Sequence, residues 1–172
     1  VYEICYVAEV DTCKLLTVNG IDPVGGSTGG DTGGDTGGDT GTTGNGTLAS
    51  PYNVTQAYDI AAALAEGANS GSEVYTTGTV VAGTDSYNKA TPNVYSGRAS
   101  FHITDGNKTI LAYNVQDAND SASFQENPVK VGDVVVVTGC LKNYKGTLEI
   151  AYQQNVAKCT LVSINGVAQS GR

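Results

Sequence analysis

Side chains able to do chemistry are sparse in this chain. His102, in SFHITDG, is the only histidine, and no cysteine or carboxylate stands near it at a metal-ligand spacing. Asp31, Asp35 and Asp39 recur in DTGG repeats. Carboxylates and backbone carbonyls are calcium ligands, but the repeat's period and its lack of an apolar position set it apart from glycine-rich calcium repeats. It reads as solvated linker. The sequence has no Gly-rich phosphate loop opening a helix, no nucleophile elbow and no paired-carboxylate motif. The reading is therefore a protein that is not an enzyme, with no metal and no cofactor.

The chemistry left over is that of aromatic rings interleaved with cations. Arg98, Phe101, Tyr113, Lys142 and Tyr144, with Lys108, Lys145 and Tyr152 beside them, fall on or next to predicted strands and hairpins. Proteins that hold single-stranded nucleic acid stack bases on aromatic rings and neutralise the backbone with such cations. The charge balance speaks against that partner: the net charge is −8, and residues 51–172 hold ten Asp and Glu against eight Lys and Arg. A nucleic-acid surface is ordinarily basic. A glycan remains open as a ligand for the same rings.

Cysteines and sequons point to an exported protein. Cys140 ends an apolar strand and Cys159 begins the last one, so a bridge between them would staple two strands. A hairpin centred near Glu9 would set Cys5 opposite Cys13. Of three connectivities, Cys140–Cys159 with Cys5–Cys13 is the expected one, and it implies an oxidising compartment; four reduced thiols are the alternative. Asn45, Asn53, Asn107 and Asn119 open N-x-S/T sequences, which are short enough to recur by chance. The chain has no Met and no apolar run near the roughly 20 residues of a membrane span. The expectation is a processed or excerpted extracellular or cell-surface chain.

The elements that must position these residues divide the chain in three. Residues 25–46, GGSTGGDTGGDTGGDTGTTGNG, are half glycine without an aliphatic or aromatic side chain, and cannot bury enough surface to offset their ordering entropy. This is a linker, and a Gly-rich chain of that length spans about 25 Å r.m.s.. It separates an N-terminal β segment, 1–24, from a domain at 47–172. In that domain Asn53 can cap a helix over 54–66, where Val54, Ala57, Ile60, Ala61 and Leu64 recur at helical spacing. Strands are expected at 73–83, 98–106, 109–115, 132–143, 146–153 and 158–166. The turn signals DGNK and NYKG make hairpins of adjacent pairs. The run Val134–Val137 is uniformly apolar, which predicts a strand covered on both faces. One helix and about six short strands suit a mainly β fold: a small antiparallel OB-like barrel with the helix preceding its first strand, or else a sandwich.

The order SPYNVTQAYDIA, EVYTTGTVVAG, VKVGDVVVVTGCLKNYKGTLEIA resembles the OB-fold modules common in secreted and surface proteins of Bacteroidetes, over roughly residues 48–166. The resemblance implies the OB fold and, by fold alone, a nucleic-acid-binding label that does not fix function. Asp120-Ser121-Ala122 is similar to the Asp-Ser/Thr-apolar acceptor for O-glycans in that group, making Ser121 a candidate glycosylation site with the four asparagines.

The strongest pattern is an internal repeat. EICYVAEVDTCKLLTVNG at 3–20 aligns without a gap with EIAYQQNVAKCTLVSING at 149–166. Glu3 matches Glu149, Ile4 Ile150, Tyr6 Tyr152, Val10 Val156, Cys13 Cys159, Leu15 Leu161, Asn19 Asn165 and Gly20 Gly166, with Val18 against Ile164. Twenty residues cannot form a core alone, so the first copy needs a partner. It can finish a preceding domain of a tandem array, or pair with the sheet of another molecule; a fold back onto its own domain is the third arrangement. A head-to-tail contact that does not close propagates as a filament. The expected function is a structural subunit of an extracellular filament or tandem array, its partners neighbouring copies of itself. Tyr2, Ile4, Tyr6, Val10, Leu15 and Val18 are the expected assembly residues.

Overall fold

A computed structural model of the protein describes residues 43–82 and 93–170. The expected assembly residues Tyr2, Ile4, Tyr6, Val10, Leu15 and Val18, and Cys5 and Cys13, lie outside these residues. The described part is mainly β, one short helix and an eight-stranded mixed sheet.

Helix α1 (Val54–Ala62) begins where the sequence predicts. Asn53 is its N-cap, accepting from Gln56 N at 2.8 Å, while Gln56 Oε1 accepts from Asn53 N in return. This capping box satisfies two otherwise orphaned donors and contributes roughly 1 kcal/mol. Val54, Ala57 and Ala61 form the buried face. The helix ends short of the expected residue 66. Leu64 O accepts from Asn143 Nδ2 at 3.0 Å, and Gly67 N donates to Asn143 O at 2.7 Å. These bonds draw the chain off the helical path and lay residues 67–70 along a strand. Upstream, Gln56 also holds Gly44 by two hydrogen bonds, to its N and its O, so the end of the glycine-rich stretch packs on the domain.

The strands are β1 (Val74–Val81), β2 (Asn93–Tyr95), β3 (Arg98–Thr104), β4 (Thr109–Val115), β5 (Val134–Tyr144), β6 (Thr147–Ala151), β7 (Thr160–Ile164) and β8 (Val167–Ala168). Both expected hairpins form, β3 with β4 and β5 with β6. The pairings β1–β3, β3–β4, β4–β6, β6–β5 and β5–β1 return to their start, with β4–β6 the parallel one. β2 and β8 lie at the margins.

Residues 147–151 of β6 pair with 144–140 of β5, and residues 160–164 of β7 pair with 138–135 of the same strand. β6 and β7 thus lie end to end along β5, as one strand broken by an excursion over 152–159. The other flank is held by β4, through Leu111–Glu149 and Ala112–Ile150 and, past the excursion, through a Gln116–Thr160 bridge.

The core gathers inside the ring from Val54, Val80, Phe101, Ile103, Ile110, Val115, Val135, Val137, Leu141, Ile150 and Leu161, all essentially without solvent exposure. Gly78 lets α1 approach: a Cβ there would meet Val54 Cγ2 at 2.6 Å. The valine run departs from the expectation of two covered faces. Val134 is 49 % exposed and Val136 half-buried between buried Val135 and Val137, and continuous burial starts only at Val137. The first residues of β5 have the core on one face only; its middle, Val137–Leu141, is covered on both, and exposure returns toward Tyr144.

Candidate functional site

The second copy of the repeated phrase, residues 149–166, is the closing strand of the ring. Apart from Tyr152 and Val156, which are exposed, the residues it shares with the first copy each have a structural task. Ile150, Cys159 and Leu161 belong to the core. Asn165 and Gly166 take positive φ, 49° and 77°, and turn the chain from β7 into β8, the arrangement that favours Asn-Gly. Asn165 also ties the end of β7 to the start of β5. Its N donates to Val134 O at 2.6 Å, its Oδ1 accepts from Val134 N at 2.8 Å, and its Nδ2 donates to Asp133 Oδ1 at 2.9 Å.

Glu149 lies in a cross-strand row of mixed polar and apolar residues on the other face of the sheet. Register partners run Val81 to His102, His102 to Leu111, Leu111 to Glu149 and Glu149 to Lys142. His102, Leu111 and Glu149 are all buried. Burial pushes the Glu149 carboxyl above its ordinary range, and the Lys142 charge only partly offsets this. Lys142 Nζ donates to Tyr152 O at 2.6 Å, fastening the start of the excursion. Sequence reading registered Glu149 only as a repeat identity; its position opposite a lysine across the NYKG hairpin was the available signal.

The cysteines correct an expectation. Cys140 and Cys159 are both free and buried, and no bridge joins them. Cys140 on β5 faces Ser70 Oγ at 3.3 Å and Asn69 Oδ1 at 3.4 Å. Cys159 stands before β7, its Sγ 3.4 Å from Ile150 O. The two lie on opposite faces of the sheet: β7 pairs Thr160 with Thr138, which brings Cys159 close to Cys140 along β5, but Cys159 joins the core cluster while Cys140 points to Ser70 and Asn69. Burial and the neighbouring Glu149 charge push the Cys159 thiol well up, making it inert as a nucleophile.

The aromatic and cationic candidates divide between the core and the surface. Phe101 is fully buried in the core, so it is not a stacking platform; alternation along β3 turns it inward. Arg98 and Tyr113 are half-buried on β3 and β4. Lys142 is engaged as described. Tyr144 is 54 % exposed at the β5–β6 turn, with Lys145 Nζ 5.4 Å from its ring centroid. A shallow cleft of about 550 Å³ lies between the excursion and the loop after β4, lined by Glu73, Asn119, Asp120, Val156 and Lys158 among others. Its charges are mixed. Asp120 Oδ1 accepts from Thr160 Oγ1 at 2.7 Å, linking that loop to β7.

Of the glycosylation candidates, Asn107 and Asn119 are exposed in turns. Asn45 is exposed, but its Oδ1 accepts from Thr47 Oγ1 at 2.7 Å. The Asn53 side chain is committed to the helix cap. Ser121 Oγ donates to Asp117 Oδ2 at 2.8 Å. Among the described residues no three His, Cys, Asp or Glu are grouped to hold a metal ion, and no helix is long and apolar enough to cross a membrane. Comparison with protein-family models and with curated proteins finds no match to this chain.

Proposed function

We propose that the protein is a non-enzymatic structural subunit of an extracellular filament or tandem surface array, and that residues 1–20 join it to a neighbouring copy. The observation that carries this reading is the place of residues 149–166. The repeated phrase is the strand that closes a ring, flanked by β5 on one side and β4 on the other. A chain with two closing strands and one described ring has one to spare. The residues the copies share are those the closing role requires, which favours a spare closing strand over a decorative edge hairpin.

The fold reading belongs to the same proposal. Five pairings that return to their start, in the order β1-β3-β4-β6/β7-β5, with β4 and β6 parallel, support a small OB-type barrel. α1 packs against one end. The core valines and isoleucines come from every strand of the ring.

The test is negative-stain electron microscopy of the full chain beside a chain lacking residues 1–20. Fibres or beaded chains that vanish with the deletion are the expected result. Single particles in both preparations overturn the reading. A binding module for a single nucleic-acid strand or a glycan is the second reading, favoured by exposed Tyr144 and Tyr152 beside Lys142 and Lys145. It gains if the deletion leaves oligomeric state unchanged and Tyr144→Ala abolishes oligonucleotide or glycan binding.

A further inference from the structure

Aligning the two phrases on the strand register gives Cys5 a partner. Position 5 matches position 151 in the ungapped alignment, where the chain has Ala in place of Cys. Ala151 is the register partner of Cys140 across β5 and β6. We propose that residues 3–20 of one copy replace β6 and β7 beside β5 of a second copy, and that the exchange is locked by a disulfide between Cys5 of the donor and Cys140 of the acceptor. This rests on the assembly reading above and names its acceptor site and covalent chemistry.

Directly opposed residues on antiparallel strands have Cβ atoms about 4.5–5.5 Å apart, close to the separation a disulfide spans. Cys140 is fully buried beside Ser70 and Asn69, and Ala151 is 3 % exposed. With β6 in place, nothing opposite Cys140 can pair with it. With the first copy in place, a thiol stands there.

The rest of the donor suits the same site. Ile4, Cys13, Leu15 and Val18 replace core residues Ile150, Cys159 and Leu161 and the half-buried Ile164. Asn19-Gly20 supplies the turn, and Glu3 falls beside Lys142. Lys14 is an unlike replacement: it takes the place of Thr160, which is fully buried and donates through Oγ1 to Asp120, so the lysine has to bring its ammonium to that carboxylate. Exchange trades like contacts for like, as in domain swapping, and the acceptor's own β6–β7 leaves. Contact energy therefore hardly favours either state, and the covalent bond decides the outcome.

The bond forms by thiol–disulfide exchange with a small disulfide oxidant such as oxidised glutathione. One cysteine thiolate attacks the oxidant, giving a mixed disulfide and releasing one glutathione thiol. The second cysteine's thiolate displaces the other glutathione. Two protein thiols are oxidised to one disulfide, and the oxidant is reduced to two thiols.

The experiment incubates an equal mixture of ¹⁴N- and ¹⁵N-labelled full-length chain with oxidised glutathione. It reads non-reducing denaturing gels, disulfide-linked peptides by mass spectrometry, and electron micrographs of the same samples. Expected are covalent oligomers that collapse on reduction and a Cys5–Cys140 peptide of mixed isotope label. Cys5→Ser and Cys140→Ser each reduce the oligomers at least tenfold, and Cys13→Ser leaves them. Cys5→Ser alters no residue of the described fold, so its result stands even if Cys140→Ser fails to fold. Fibres without that peptide, whether Cys5 pairs with Cys13 or all thiols stay free, overturn the lock and leave the assembly reading intact. A single-label Cys5–Cys140 peptide also overturns the exchange between copies. Single particles with and without residues 1–20 overturn both.

Discussion

Cys140 on β5 and Ala151 on β6 face one another across the closing seam of the ring. The two strands are joined by the short Tyr144–Thr147 turn, and both positions are buried. Ala151→Cys should therefore give a disulfide within one chain under mild oxidation. On loop-entropy grounds the bridge raises stability by up to about 3 kcal/mol. Counting free thiols before and after oxidation, with thermal melts of both forms, checks the register directly. An unchanged thiol count would mean that β5 and β6 pair differently in solution.

Phe101 and Tyr144 separate a core role from a surface role. Phe101 is completely buried, and truncation to Ala leaves a cavity at the centre of the ring, costing about 3–5 kcal/mol. Tyr144, half exposed at a turn, should lose under about 0.5 kcal/mol when changed to Ala. Urea denaturation of the two variants decides this. Equal losses would contradict the inward orientation of β3 at Phe101.

The same pair shows what the sequence could and could not disclose. Alternation and turn chemistry placed β3, β4 and the two hairpins within a residue or two, because Asp-Gly and Lys-Gly turns act locally. Which face of β3 is inward was not local, since SFHIT offers Phe101 and Ile103 to one face and Ser100 and His102 to the other, and both faces are buried. The residue chosen for binding was the one the core takes. The cysteines turn on the same non-local fact: the strand break before Cys159 is legible, but not which face of the sheet each thiol takes, and Cys159 goes to the core while Cys140 faces Ser70 and Asn69. The repeat was fully legible as an identity. Its meaning required the register, which shows that the phrase closes a ring.

Asn143 joins the segment that follows α1 to the β5–β6 turn, far from it in sequence. Its Nδ2 donates to Leu64 O at the end of α1, its main-chain O accepts from Gly67, and its Oδ1 accepts from Gly146 N at 3.1 Å in the β5–β6 turn. Asn143→Ala removes the side-chain bonds and leaves the part-buried Leu64 carbonyl unpaired, a loss of about 1–3 kcal/mol. Hydrogen exchange should localise the effect, with protection falling in residues 61–68 and the β5–β6 turn before the rest of the sheet. A uniform fall across all strands would show that this contact is not the tether of the helix end.

Glu149 gives the domain a pH dependence opposite in sign to that of Asp105, Asp117 and Asp133. Burial raises its folded-state pKa above the ordinary value of 4.5, and Lys142 offsets only part of the effect. Between 4.5 and the raised value the native state keeps a proton that the unfolded chain has already released, so this contribution to stability falls as pH rises through that window. Asp133 is lowered first by the Lys130 N–H and then by Asn165; at Asp105 and Asp117 a burial effect that raises is outweighed by hydrogen bonds, chiefly from Thr55 and Ser121. Their contributions are present above 3.8 and are lost as pH falls through their lowered values. The aspartate and Glu149 contributions therefore have opposite pH slopes, the first lost toward acid and the second lost as pH rises above 4.5. Glu149→Gln removes the buried charge while keeping the volume, so it should flatten the decline that begins above pH 4.5 and leave the acid limb unchanged. Urea midpoints for both chains on either side of pH 4.5 measure it. Parallel curves would mean that the carboxyl of Glu149 is solvated in the folded protein.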